Sequence, residues 1–131
     1  SGGAPVKAGE PRLFAPTILA NVPRTARICS DEAFAPVVIL ERYSDFSKVI
    51  DSVNESRFGL QCGLFSNDLA HVRAAFDQLE VGGVIVNDVP TYRIDNMPYG
   101  GVKESGLGRE GIRWSIEEMT ELRLLVLADP Q

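Results

Sequence analysis

Cysteine is scarce in this chain. Cys29 and Cys62 are the only two among 131 residues, and no C-x-x-C occurs. That excludes a disulfide framework and a thiol redox motif, and it points to two reduced thiols in a cytosolic protein. Histidine is scarcer still: His71 stands alone. It falls on the polar side of a helical pattern and reads as a surface residue. No group of His, Cys, Asp and Glu has metal-ligand spacing, so no metal is expected. No apolar run approaches the roughly 18 residues of a membrane span. The start has no basic region followed by an apolar one, so no secretory leader is expected; Ser1-Gly2-Gly3 reads as a cloning remnant, and the start as cut from something longer. Basic residues are outnumbered, with Lys and Arg at 13 against Asp and Glu at 18 and a net charge of −5. That disfavours nucleic acid or an anionic membrane as partner. One local arginine can still hold a small anion.

The composition that remains is globular. Hydrophobic residues are 44% and charged residues 24%, enough for one packed domain or part of one. Residues 1–12 lack periodicity and read as a loop. Residues 13–22 can hold a short strand, with Pro16 at an edge or strand start. Val37 to Leu40 is a continuous apolar run, suited to a strand buried on both faces. Ser44 is a candidate N-cap for a helix whose stripe is Phe46, Val49, Ile50 and Val53. Residues 60–65 read as a strand. Asn67 or Asp68 can cap a second helix, with Leu69, Val72, Phe76 and Leu79 on one face. Gly82-Gly83 breaks it, and Val84-Ile85-Val86 is the next strand. This β-α-β-α-β order implies parallel strands joined by right-handed crossovers. Asn54 and Asn87 lie at element ends, where asparagine caps or turns. A third helix is expected over 112–122, with Ile112, Ile116 and Met119 inward. An apolar strand over 124–127 follows; it either closes this chain's own sheet or, as an unpartnered apolar edge, invites pairing with another chain.

Between Met97 and Gly111 the sequence is M-P-Y-G-G-V-K-E-S-G-L-G-R-E-G, five glycines in fifteen positions. Such backbone freedom suits a chain that turns tightly, passes close to other backbone and then starts a helix. The string G-L-G-R-E-G within it matches G-x-G-x-x-G. The dinucleotide fingerprint, however, needs a strand before it and an acid about twenty residues on in a following strand. Here a loop precedes and the chain ends at that distance. Lys103 and Arg109 therefore read as loop or interface anchors rather than phosphate ligands.

Three stretches in register resemble the NAD(P)-dependent aldehyde dehydrogenases. D-E-A-F-A-P-V at 31–37 is similar to that family's E-x-F-G-P segment, with Ala35 where glycine is commoner. N-E-S-R-F-G-L-Q-C-G-L-F-S-N-D at 54–68 is similar to its N-x-S-x-Y-G-L-x-x-x-V-F-T-x-D. Val86-Asn87 followed by P-Y-G-G-V-K-E-S-G-L-G-R-E is similar to its N…P-F-G-G-x-K-x-S-G-x-G-R-E. The resemblance covers nearly the whole chain. It implies an α/β fold: an open, mostly parallel sheet with flanking helices over 13–121, the C-terminal portion of a catalytic domain, then a terminal oligomerisation strand and tail over 122–131.

The resemblance also implies a chemistry: thiolate attack on an aldehyde, hydride transfer to NAD or NADP, then hydrolysis of the thioester to the acid. In the family the nucleophilic cysteine, the carboxylate base and the dinucleotide-binding domain lie N-terminal to the region present here. Cys29 and Cys62 do not match the nucleophile's Gly- and Gln-rich setting. No residue here is expected to be catalytic, and the chain alone is expected to be inactive without the N-terminal part. By the resemblance, Glu32 holds the hydroxyls of the nicotinamide ribose and Phe34 packs against the nicotinamide; a carboxylate accepts from a vicinal diol, and a ring face positions a flat ring. Tyr92, Arg93 and Tyr99 are the substrate-side candidates, at the mouth of the aldehyde tunnel. The loop D-V-P-T-Y-R-I-D-N-M resembles branches acting on small polar aldehydes. Arg93 then either grips a carboxylate or phosphate bidentately or pairs with Asp88 or Asp95. Two other readings stay open: a non-catalytic assembly module that associates only with itself or a full enzyme, and a small-ligand binding domain. A cytoplasmic homo-oligomer is expected.

Overall fold

The computed structural model describes Gly2 and residues 13–129. The loop expected over 1–12, Gly2 apart, and the last two residues of the tail lie outside the described residues. The chain forms two units, residues 1–49 and 50–131.

In the first unit, β1 (Thr17–Ala20) lies parallel to β2 (Val37–Leu40), Thr17 opposite Val37 and Ala20 opposite Leu40. The ladder begins where the Thr17 N–H donates to the Pro36 carbonyl at 2.8 Å. Thr17 is buried, and its hydroxyl is satisfied by the Ala15 carbonyl at 2.8 Å. The crossover between the strands holds one 3-10 turn, Arg27–Cys29, and no α-helix. Its sequence explains this: Asn21 takes a left-handed φ of 56°, and the residue before each of Pro23 and Pro36 is biased towards extended backbone. Arg24 reaches Glu41 at 3.1 Å, and Arg27 reaches Asp31 at 2.8 Å.

Helix α1 (Phe46–Asn54) is capped by Asp45 rather than by Ser44. The Asp45 carboxylate accepts from the Ser47 and Lys48 N–H groups at 3.0 and 3.3 Å, which are orphan donors of the first turn. Of its stripe, Ile50 is buried, Phe46 and Val49 are half-buried, and Val53 is more open.

In the second unit, β4 (Gln61–Leu64), α2 (Leu69–Gln78) and β5 (Gly83–Val86) form the expected βαβ element. β4 and β5 are parallel, with Gln61 opposite Gly83 and Leu64 opposite Val86. Asp68 is the N-cap of α2, accepting from the Ala70 N–H at 2.8 Å. The short β3 (Phe58–Gly59) pairs antiparallel with β6 (Val102–Lys103). The sheet structure is thus α/β with its longer pairs parallel. Among the described residues it is divided into three two-stranded ladders, β1–β2, β3–β6 and β4–β5, rather than one open sheet.

Four expected details differ. Val37 to Leu40, expected to be buried on both faces, leaves Val38, Ile39 and Leu40 exposed, because β2 has β1 as its one neighbouring strand among the described residues. The inward face of α2 is Val72, Ala75 and Leu79, centred on the buried Ala75, while Leu69 and Phe76 point to solvent. Helix α3 (Ile112–Glu118) stops four residues before Leu122, and just past its end the Thr120 hydroxyl donates to the Ile116 carbonyl at 2.7 Å. Ile112, Ile116 and Met119 are exposed rather than inward. Finally, residues 124–127 form no strand and have no ladder partner among the described residues. A strand needs a neighbour to bond to, and this segment has none among the described residues. Apolar burial is correspondingly small: Ile50 and Ala75 are the fully buried apolar side chains among the described residues.

Candidate functional site

Two places carry the expected site residues, one in each unit. In the first unit, Glu32 and Phe34 sit just before β2 on a tightly wound segment. The Ala35 N–H donates to the Ala33 carbonyl at 2.9 Å, and the Val37 N–H donates to the Ala35 carbonyl at 2.7 Å. Two successive three-residue turns of this kind, sharing Ala35 and with Pro36 at the centre of the second, hold the backbone stiffly. Both side chains stand open. The Phe34 ring is 92% exposed, and the Glu32 carboxylate accepts no hydrogen bond among the described residues. A bare ring and an unengaged carboxylate two positions apart, on a stiff turn, fit the nicotinamide ribose of a dinucleotide. When bound, the nicotinamide ring of such a dinucleotide would accept a hydride.

The second place is the loop after β5. Asn87 leaves the strand at a φ of 58°, and its side-chain carbonyl accepts from the Ser66 N–H at 2.9 Å. The Gln61 amide of β4 donates to the carbonyls of Pro90 and Tyr92, at 2.6 and 3.2 Å. Gly63, also on β4, lets the loop lie close: a Cβ there would stand 2.8 Å from the Asp88 carbonyl oxygen. The loop then turns at Val89–Tyr92 and again at Ile94–Met97, each closed by a backbone bond, of 3.1 and 3.2 Å.

These turns bring Arg93 onto Tyr99. The guanidinium carbon stands 4.6 Å from the Tyr99 ring centroid, a cation–π contact. One guanidinium nitrogen, Nη2, donates to Glu110 at 2.9 Å. Glu110 is itself held by a reciprocal backbone pair: its N–H donates to the Tyr99 carbonyl at 2.6 Å and its carbonyl accepts from the Tyr99 N–H at 3.0 Å. Arg93 therefore pairs with Glu110, and not with Asp88 or Asp95. Tyr92 lies on the same loop, exposed, held through its backbone. Of the three substrate-side candidates, the structure joins Arg93 and Tyr99 directly.

Glu110 and Gln61 escaped the sequence reading. Glu110 had a signal, the only acid in G-R-E-G, but nothing local shows that Arg93 comes round to it. Gln61 had none beyond being polar in an apolar strand.

The Gly-rich run is fastened by its two basic residues. Lys103 donates to the Asn54 and Ser56 carbonyls at 2.6 and 3.1 Å and pairs with Glu80 at 2.6 Å. Arg109 donates to the Gly101 and Gly108 carbonyls at 3.0 and 2.7 Å. Asn54 ties the same region together, donating to the Gln78 carbonyl at 2.7 Å and accepting from the Glu80 N–H at 2.9 Å.

Neither thiol has an activating neighbour in these contacts. Burial pushes the Cys62 thiol up, away from the thiolate. Cys29 is exposed, with its sulfur 3.6 Å from the Pro23 carbonyl oxygen. Among the described residues no cluster is suited to a metal ion, and no helix is long and apolar enough to cross a membrane.

With fold and site in view, the comparisons with known proteins agree on one class. The model of the aldehyde dehydrogenase family matches residues 1–125. The chain belongs to that family. It is 49% identical to a 3-sulfolactaldehyde dehydrogenase of Priestia aryabhattai, over 95% of this chain and 27% of that protein. Among solved structures it is similar to aldehyde dehydrogenase 21 of Physcomitrella patens in complex with the reaction product succinate. There the TM-score is 0.84 and the identity 44%, over 87% of this chain and 24% of that one. It is also similar to glyceraldehyde-3-phosphate dehydrogenase GapN of Methanocaldococcus jannaschii complexed with NADP. That match has a TM-score of 0.76 and 46% identity, over 82% of this chain and 23% of that one. The chain thus spans about a quarter of the length of the relatives it matches.

Proposed function

We propose that this chain is the C-terminal part of an enzyme that oxidises a small, polar, anion-bearing aldehyde to its carboxylic acid with NAD or NADP. The observation that carries the reading is Arg93 stacked on Tyr99 at the end of a loop pinned by Gln61. A guanidinium whose face is fixed by a ring is pre-oriented to take an oxyanion edge-on. The names of the three relatives support it, since a sulfonate, a carboxylate or a phosphate occurs on the compound named in each.

In this reading Glu32 accepts from the nicotinamide ribose hydroxyls and Phe34 flanks the ring. Tyr92 and Tyr99 wall the aldehyde's path, and Arg93 holds its anionic end. The attacking thiolate and the base for the thioester's hydrolysis come from a preceding part of the same protein. The raised pKa of Cys62 supports the same division of labour, and the isolated chain is expected to be inactive. The two free thiols suit a reducing, cytoplasmic setting. The exposed apolar segment at 124–127 favours a homo-oligomer. That segment is also what favours the second reading, a non-catalytic assembly module.

The test is reduction of NAD or NADP by the full-length protein with a set of aldehydes. Turnover by the longer protein, fastest on anion-tailed aldehydes and absent from the 131-residue chain, is the expected result. A full-length protein that associates but never turns over would favour the assembly module. The Arg93→Met variant is expected to raise KM for an anion-tailed aldehyde by roughly tenfold or more, as loss of a charge-assisted bond would.

A further inference from the structure

Arg93 already holds an anion, and the way it holds it is informative. The contact to Glu110 is single: one guanidinium nitrogen to one carboxylate oxygen, at 2.9 Å. The other nitrogens of Arg93 make no hydrogen bond among the described residues. The pair is open to water, with 46% of the arginine side chain and 63% of the glutamate side chain exposed. An exposed, single-toothed pair in high dielectric holds its partners only weakly. The guanidinium does not depend on it for position, because its face lies on Tyr99. Nor does Glu110 depend on Arg93, because its backbone is fixed by the reciprocal pair with Tyr99. Both partners are held independently, and only the weak bond between them joins the two.

We infer that Glu110 is a specificity-determining residue: its carboxylate occupies Arg93 as a stand-in for the aldehyde's anionic end and yields when that end arrives. The inference rests on the reading of Arg93 as the anion-gripping residue. A carboxylate, sulfonate or phosphate tail that engages Arg93 through two nitrogens outcompetes the single bond to Glu110. A neutral tail cannot, and it meets an arginine whose charge is already matched. Glu110 thereby weakens anion binding moderately and keeps the empty site from trapping stray anions.

The test is steady-state kinetics of the full-length enzyme with a matched pair, 4-oxobutanoate and butanal, read as the preference between their KM values. Glu110→Gln removes the competing charge while its amide oxygen can still accept from Arg93. Preference for 4-oxobutanoate is expected to rise roughly two- to fivefold, the equivalent of losing one exposed pair. Arg93→Met should abolish the preference. If it leaves the preference intact, the Arg93 reading falls, and the inference with it. If Arg93→Met abolishes it but Glu110→Gln lowers it or leaves it unchanged, Arg93 stands and the exchange is overturned. Should Glu110→Gln turn over too slowly to assay, succinate binding by calorimetry gives the same comparison: tighter than the parent supports exchange, equal or weaker overturns it. Glu110→Ala replaces it in either assay if the glutamine variant does not fold.

Discussion

At the scale of single residues, Lys103 is unusual for a lysine. Its side chain is largely covered, 24% exposed, although the residue as a whole, backbone included, is open to solvent. It holds a left-handed φ of 54°, a conformation that suits glycine. The strain is offset by the two carbonyls and one carboxylate that its ammonium satisfies. Lys103→Met keeps the stem and removes the donors. It is expected to cost about 1–3 kcal/mol in a urea titration of the full-length protein, from carbonyls left unpaired. Lys103→Gly relieves the backbone but also loses the donors, so it should be less destabilising than Lys103→Met; the reverse order would show that the stem, not the ammonium, carries the effect. Cys62 gives a pH signature. Burial raises its thiol pKa above the ordinary 9.0, so the folded state favours the protonated form. Its contribution is whole below that ordinary value and is lost as pH rises through the raised one. Stability should fall on the alkaline side of pH 9, and Cys62→Ala should flatten that part of the profile. An unchanged slope would assign the alkaline loss to other groups.

At the scale of elements, the glycines separate two causes that sequence alone merges. A Cβ at Gly82 would stand 1.7 Å from the Gly100 carbonyl oxygen, backbone against backbone. There the start of β5 and the Gly-rich run pass in direct contact, so neither can yield alone. Gly106 has open space around it and a φ of 129°, which an L residue rarely adopts. Gly82→Ala is therefore expected to cost about 3 kcal/mol or more by overpacking, and Gly106→Ala about 1–3 kcal/mol by strain; equal melting shifts for the two would contradict this ranking. The need for glycine in this run was legible in the sequence; which glycine meets which neighbour was not, because Gly82 and Gly100 are brought together only by the fold. The same limit governed the helices. The pattern located α1, α2 and β5 well, since periodicity and caps are local. It misjudged the covered face of α2, because Leu69 and Phe76 are as apolar as Val72 and Leu79. Apolarity says that a residue gains by burial; it does not say whether this chain supplies the cover. Arg93 followed the same rule: its chemistry was readable, but its partner Glu110 was not, being joined to it only by the bridge at Tyr99.

At the scale of the whole molecule, the apolar surface left open is the chief fact. Leu122, Leu124, Leu125, Val126 and Leu127 are all largely exposed, as are Met119 and Ile112. A run of consecutive apolar residues with no ladder partner among the described residues is what another strand can bond to and cover. Exposed apolar patches of this kind favour association. The 131-residue chain by itself should accordingly sediment well above its 14.3 kDa monomer mass at tens of micromolar. Because Leu125 and Leu127 touch little in the monomer, replacing both by glutamate disturbs no packing within the chain. It places two charges where a partner would have to desolvate them, at a cost of several kcal/mol for each unpaired ion. Leu125→Glu with Leu127→Glu should therefore shift the sedimenting species towards the monomer while leaving the circular dichroism spectrum unchanged. Added salt gives a control, since an association driven by apolar burial should persist at high ionic strength whereas one driven by charge should weaken. A chain that is monomeric before any substitution would mean that residues 119–127 fold back on the chain in solution, and that the open surface is not what holds copies together.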